Sequence, residues 1–369
     1  MLRIDRHIFI HFDYILPLLL VPIIFMSYFL VNELHPVLAS KQLVYFSIGL
    51  VTFVFFFLLP IRKLLWLIPL FYWLNIALLV SVQFFGVSKL GAKRWLEIPF
   101  FNFTIQPSEI MKISFILMLG YLIVNNPPDK EKGYGVVRFI KLSIYILIPF
   151  FLILIQPDLG TALILLIMGF GILFVIGVNY KVWLTILLLL SVAAPLIYSS
   201  LQDYQKKRIN DFIGEKPSYH VRQSIIAIGS GGLNGQEESE ATQSHLKFLP
   251  IATSDFIFAF YVERFGFWGG VILIVIYGLI ILHLLTILIY MKGDYLTQVV
   301  ASSLAFLFFL YSSVNIAMTI GYAPVVGLPL PLFSYGGSSF ITFIILLGIW
   351  ENLLTFRHDT LYDAIKYGD

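Results

Sequence analysis

Apolar runs with few or no charges recur along this chain at residues 14–31, 43–59, 64–85, 106–124, 139–155, 159–178, 182–198, 265–291, 295–319 and 340–356. Each approaches the roughly 20 residues with which a helix crosses the hydrocarbon core of a bilayer. Apolar and polar positions do not alternate within them, as they would in the strands of a membrane barrel. The pattern predicts an all-α, polytopic integral membrane protein of about ten transmembrane helices, a single membrane domain over residues 1–369. Only residues 199–254 interrupt it at length, with six basic and six acidic side chains in 56 residues. That stretch is expected to be one large loop between spans seven and eight.

Composition narrows the class. Of 369 residues, 59% are apolar and 12% charged, about half the charged share of a soluble domain. A soluble enzyme, a fibrous protein and a disordered chain are excluded. The absence of cysteine removes disulfides, thiolate metal sites and a cysteine nucleophile. The net charge of +3 is spread along the chain, so no nucleic-acid surface is indicated. Run 14–31 follows Arg3, Asp5, Arg6 and Asp13 with no small-residue cleavage site, and reads as a retained span rather than a signal peptide.

Ten spans put both termini on one side, and basic residues choose which. Arg3, Arg6, Arg62, Lys63, Lys130, Lys132, Arg138, Lys141, Lys181, Lys292, Arg357 and Lys366 fall on the terminal side, against only Lys41, Lys89, Lys93, Arg94 and Lys112 in the short loops opposite. Twelve against five predicts cytoplasmic termini, since cytoplasmic loops carry the excess of Lys and Arg. The loop at 199–254 is then extracytoplasmic, where long loops carry function or serve as connectors.

An ionisable group at membrane depth needs a partner, a water-filled cavity or a function. Glu109 and Lys112 are three residues apart, on one helical face, and read as an interfacial ion pair or as part of a site. Asp158 follows Gln156 and Pro157 in a short outer turn, where it could cap the sixth span or serve chemistry. Asp255 stands where the chain turns back into the membrane before FIFAFYV, as a helix cap or as a carboxylate facing a cavity. Glu263 and Arg264 are expected at the foot of the eighth span. The seven histidines lack metal-ligand spacing, and His283 is expected to satisfy a hydrogen bond inside the eighth span. The cluster GSGGLNG at 229–235 lacks the Lys and Ser/Thr of a P-loop, which leaves a turn or a backbone nest for phosphate. No internal repeat is visible, unlike inverted-repeat transporters.

Several segments carry a resemblance: GAKRWLEI at 91–98, QPSEIMK at 106–112, QPDLGTA at 156–162, AIGSGG at 227–232, SDFIFAF at 254–260 and NIAMTIGYAPVVGLPLPLFSYGGSS at 315–339. Together they resemble the SEDS family of RodA, FtsW and their sporulation homologues, over nearly the whole chain. PVVG at 324–327 and the lack of long terminal extensions resemble the RodA branch, which implies elongation rather than division. Departures are Ile251 and Arg264, which stand where the family usually has acidic residues.

The resemblance implies a peptidoglycan glycosyltransferase that polymerises lipid II on the outer face of the bacterial inner membrane, with a class B penicillin-binding protein as crosslinking partner. A sugar hydroxyl of one lipid-linked disaccharide would attack the anomeric carbon of another, with inversion and loss of polyprenyl diphosphate. Asp255 is the implied base. Cations must face the leaving diphosphate, and Lys93, Arg94, Lys112 and Arg208 are candidates, as is a divalent ion such as Mg or Mn; no organic cofactor is implied. Trp95 would stack on a sugar or anchor its loop. Glu109 and Lys112 would orient the loop, and Asp158 joins the substrate-binding set. The uncharged stretch 321–339 would wall the lipid groove, since irregular backbone at membrane depth is tolerated only in protein or along a cavity. A lipid flippase or transporter is the alternative, although it would place charges at the midplane rather than near the outer face. A noncatalytic scaffold for the penicillin-binding protein is a third reading.

Overall fold

The computed structural model describes residues 11–89, 92–98, 103–199, 205–206, 210, 212, 214, 217–245, 248–249, 251–291 and 293–357. Its helices are α1 (Ile15–Leu34), α2 (Pro36–Leu58), a 3-10 segment Ile61–Leu67 running into α3 (Ile68–Phe85), α4 (Pro107–Asn125), α5 (Val136–Ile155), α6 (Leu159–Ile176), α7 (Tyr180–Ser199), α8 (Tyr219–Ser230), the single turn α9 (Thr242–His245), α10 (Ile257–Tyr290), α11 (Tyr295–Thr319) and α12 (Gly337–Thr355). Among the described residues, nine helices are long and apolar enough to cross a membrane. They coincide with nine of the ten predicted runs.

The tenth run falls in α7, and contacts at its two ends settle its course. Before it, loop 177–179 is tied to the α4–α5 connection by Tyr134 N to Gly177 O (3.0 Å) and Asn179 N to Tyr134 O (3.2 Å). After it, α8 lies at the opposite end of the bundle, where Ser224 Oγ donates to Thr319 O at 2.7 Å. Between these two ends the chain passes from one side of the bundle to the other, and α7 starts on the side of loop 177–179. The same two-sidedness holds elsewhere. Arg62 pairs with Asp294 and bonds Leu353 O, whereas Arg264 pairs with Glu33 (2.5 Å) and Arg94 with Asp158 (3.6 Å). Connections predicted to be inner meet inner ones, and outer meet outer.

Two helices form the centre. The most apolar windows of α4 and α11 are 78% and 72% buried, against 11% for α2, so α4 and α11 are ringed by protein while α2 faces outward. Polar residues survive on α11 because their hydroxyls bond back to its own carbonyls, Ser303 to Val299 (2.6 Å) and Ser312 to Phe308 (2.6 Å). Small hydroxyl residues also let neighbouring helices approach closely.

The helical membrane fold is as expected, with two details that the apolar pattern did not give. The stretch after α3 forms a small antiparallel sheet of β1 (Val87–Lys89), β2 (Ala92–Ile98) and β3 (Phe103–Ile105), in the order β1-β2-β3, with Val87 opposite Trp95 and Glu97 opposite Thr104. Three-residue strands are too short to read from alternation. The eighth span also begins at Ile257 rather than 265 and holds Glu263 and Arg264 inside it. Both charges find partners from elsewhere in the chain. Glu263 accepts from Gln243 N (3.0 Å) and Ser244 Oγ, and Arg264 donates to Glu33 and Gln236 O.

This helix breaks at Gly266, whose φ of 65° is non-helical. The glycine cluster after α8 packs backbone to backbone against the break. Phe267 N donates to Gly232 O (2.9 Å) and Gln236 N to Glu263 O (3.0 Å). A Cβ on Gly235, at φ 88°, would collide with the Arg264 carbonyl. The glycines at 229–235 thus clasp α10, and that close approach explains their small size without a phosphate.

Candidate functional site

Residues 251–256 form the turn that enters α10, and three residues strap it down. Tyr335 N donates to Thr253 O (2.8 Å). Ser334 Oγ donates to Ser254 O (2.6 Å) and accepts from Leu330 N (2.7 Å). The fully buried Asn315 of α11 uses both amide hydrogens, donating to Asp255 O at 2.9 Å and to Leu328 O at 2.7 Å. An amide has two donors, so one side chain joins the acid's backbone to the proline-rich loop before α12.

The Asp255 side chain lies half-buried at this junction. A Cβ added to Gly327, at φ 71°, would stand 3.6 Å from Asp255 Oδ2, so the glycine sets the floor under the carboxylate. The N-cap of α10 is Phe256, with no side-chain cap bond. Asp255 thus stands one residue ahead of the cap position. His220 of α8 stacks on Phe256, ring centroids 6.2 Å apart, which closes the outer side of the turn. Ile251 is exposed.

One helical turn before Asn315, Tyr311 faces α4. Lys112 Nζ donates to Tyr311 OH (2.6 Å) and Glu109 Oε1 (2.7 Å). The predicted Glu109–Lys112 pair is present, but Lys112 is fully buried rather than interfacial. With no exposed surface, its ammonium acts on neighbours and not on an incoming ligand. Glu109 Oε2 is buried and has no hydrogen-bond partner among the described residues.

Asp158 caps α6 by accepting from Thr161 N (3.3 Å), and it also accepts from Gln106 Nε2 (3.3 Å). Arg94 closes the same turn through the carbonyls of Gln156 (3.2 Å) and Pro157. Gly160 carries this turn to the acid's loop, because its Cβ position lies 2.9 Å from Val326 O. Strand alternation puts Lys93 and Trp95 on the other face of β2 from Arg94. Lys93 Nζ donates to Gln83 O (2.8 Å) and Phe84 O (3.3 Å), a cation at the C-terminal carbonyls of α3. Trp95 is half-buried. Arg208 lies outside the described residues.

Two groups thus converge on the C-terminal end of α11, Asp255 with loop 326–335 and Lys112 with Glu109; the Asp158–Arg94 turn joins them through Gly160. Lys93 and Trp95 stay with the sheet. Sequence reasoning missed Asn315, Tyr311 and Ser334. A lone amide in an apolar span was a usable signal for Asn315, but a tyrosine and a serine in such spans are too ordinary to stand out. Among the described residues no group of three His, Asp or Glu side chains is placed to hold a metal ion.

Comparison with known proteins matches this arrangement to others. The profile of the FtsW, RodA and SpoVE family, described as cell cycle protein, matches residues 5–359. The chain is 55% identical over 363 residues to a peptidoglycan glycosyltransferase MrdB of Helicobacter pylori, covering 98% of this chain and 95% of that one. It is 37% identical over 318 residues to the Escherichia coli protein of the same name, covering 84% of each. Among solved structures, the Rod shape determining protein RodA of Thermus thermophilus aligns with TM-score 0.70 at 26% identity, over 94% of this chain and 98% of that one. A chain from a peptidoglycan synthase complex, studied for coordination of polymerization and crosslinking, aligns with TM-score 0.81 at 26% identity, over 94% and 99%. With nearly its full length matched by the profile and by relatives of this identity, this multi-pass membrane protein belongs to the FtsW, RodA and SpoVE family.

Proposed function

We propose that this chain is a peptidoglycan glycosyltransferase of cell elongation, joining lipid II units at the outer face of the bacterial inner membrane with Asp255 as general base and both termini in the cytoplasm. One observation carries the reading. Asp255 is held by its backbone, through Asn315, over Gly327, with its side chain half-buried where the chain enters α10. A carboxylate fixed in this way at the mouth of a span is suited to act as a base. The relatives named as peptidoglycan glycosyltransferases support the substrate class.

In the proposed step the acceptor hydroxyl gives its proton to an Asp255 carboxylate oxygen as its own oxygen bonds the donor's anomeric carbon. The bond from that carbon to the diphosphate breaks, and its electron pair leaves on the diphosphate oxygen, with inversion. General base catalysis of this kind supplies on the order of 10² to 10⁴ in rate. In this reading Arg94, at the Asp158 turn that Gly160 joins to the acid's loop, offsets part of the leaving charge. A Mg or Mn ion belongs to the proposal only as a companion of the diphosphate, because such ions are held by one or two carboxylates plus substrate phosphates. A cavity of about 250 Å³ lined by Val221, Ile225, Ile320, Gly321 and Pro324 opens beside the same loop, two residues from Gly327, and suits an acyl-like prenyl chain. The partner in this reading is a class B penicillin-binding protein, in line with the synthase complex to which the fold is similar.

The test is polymer synthesis from lipid II by the purified chain with its transpeptidase partner. Asp255→Asn should abolish glycan polymer while keeping its fold and partner binding. Undiminished polymer from that variant removes Asp255 from the mechanism. Lipid II translocation in liposomes without polymer would instead favour a flippase.

A further inference from the structure

At the opposite end of the bundle from Asp255, helices α3, α4 and α5 leave a concave pocket of about 290 Å³ lined by Trp73, Leu122, Arg138, Lys141, Tyr145 and Ile148, among others. Arg138 and Lys141 are three residues apart in the first two turns of α5 and share a face. Basic residues at the inner ends of spans are common, so charge alone marks nothing. The surroundings of these two are more specific.

Arg138 donates from one terminal nitrogen to Leu122 O at 3.0 Å, one of the last four carbonyls of α4, which have no partner within the helix. That bond fixes the guanidinium in the pocket wall. Its Nε is buried and has no hydrogen-bond partner among the described residues, and a buried donor of this kind calls for an acceptor. No described carboxylate forms an ion pair with Arg138 or Lys141. The opposite wall is stiff. Tyr72 OH donates to Tyr145 O (2.8 Å), and the Trp73 and Tyr145 rings meet edge-on at 6.4 Å. Below the cations Ile144 is 50% exposed, an apolar strip on the lipid side. Trp73, 48% exposed, sits where interfacial tryptophans mark headgroup depth.

We propose that this pocket binds the headgroup of an anionic diacyl phospholipid, its phosphate between Arg138 and Lys141 and an acyl chain along Ile144 and Ile148. Two cations with no carboxylate partner among the described residues, a buried donor lacking an acceptor and an apolar exit toward the bilayer match an amphiphile with a negative head. Basic pockets between spans on the cytoplasmic side bind lipid headgroups on this principle. The site is separate from the polymerase reading and does not depend on it.

Native mass spectrometry of the detergent-purified full chain, titrated with phosphatidylglycerol or phosphatidylcholine of identical acyl chains, tests the site. The parent chain should retain phosphatidylglycerol preferentially. Arg138→Gln and Lys141→Gln should each weaken that retention about fivefold, and the double variant about 25-fold, as expected for roughly additive basic contacts. Lys181→Gln, an exposed cation at the same end, should leave it unchanged. Lys141 is itself exposed, so its variant reports binding in an intact fold. Equal retention of the two lipids by the parent, an unaltered preference in the double variant, or a loss in Lys181→Gln as large as in Lys141→Gln overturns the site.

Discussion

Asp255 and the residues that hold it illustrate how position can be separated from chemistry. The backbone of the acid is secured by Asn315 and the floor of its carboxylate by Gly327, so removing the charge should leave the scaffold standing. Asn315→Leu should do the reverse. It strands two carbonyls, Asp255 O and Leu328 O, and an unpaired buried polar group costs about 1–3 kcal/mol. We expect a lower unfolding temperature, with polymer synthesis falling in parallel because the loop loosens. Gly327→Ala places a Cβ beside the carboxylate at a φ that L-residues resist, at about 1–2 kcal/mol. Its signature should be a drop in turnover larger than the drop in stability, measured by comparing lipid II polymerisation with thermal unfolding of the same preparation. Asp255 itself was legible in the sequence, because an acid entering an apolar span is conspicuous. Its supports were not, since an asparagine or glycine shows its purpose only when the chain folds back from a distance of 60 residues, as Asn315 does to reach Asp255.

Elements are joined by charges that the apolar pattern conceals. The helices were legible because runs of about 20 apolar residues have few alternatives in a bilayer, whereas the β1–β3 sheet and the early start of α10 were hidden. Glu263 and Arg264 look like a helix foot until Gln243, Ser244, Glu33 and Gln236 are brought to them. The same holds for Arg62 and Asp294, which tie the α2–α3 connection to the start of α11. Burial would raise the carboxyl of Asp294, but hydrogen bonds and attraction from Arg62, with help from Thr297, hold it below its ordinary value. A carboxylate lowered in the folded state contributes stability that is complete above its unfolded value, about 3.9, and that is lost as pH falls through the folded one. Arg62→Gln should therefore melt earlier than the parent at pH 7 and pH 5 alike. Below about pH 4 the gap between the two melting curves should narrow steadily as pH falls; a gap of unchanged size from pH 7 to pH 3 would show that Arg62 acts through packing instead.

Across the whole molecule, the central pair α4 and α11 carries a strut from one half of the fold to the outer end where the acid sits. Lys112 on α4 meets Tyr311 on α11, and Asn315, one turn further along α11, meets the Asp255 loop. A fully buried ammonium is tolerated because Glu109 neutralises it at 2.7 Å. Breaking such a pair from one side leaves an uncompensated buried charge, at about 3–5 kcal/mol, whereas replacing both partners by apolar residues is often close to neutral. Lys112→Met alone should therefore yield little folded protein. Lys112→Met combined with Glu109→Leu should restore the yield and the melting temperature. Because Lys112 has no exposed surface, polymer synthesis should return with the fold, to within about tenfold of the parent, a residual deficit of up to about 1.4 kcal/mol. A double variant that folds normally and makes no polymer would instead place the Glu109–Lys112 charges among the groups on which turnover depends, and the buried pair would have to be read as part of the reaction field rather than as its support.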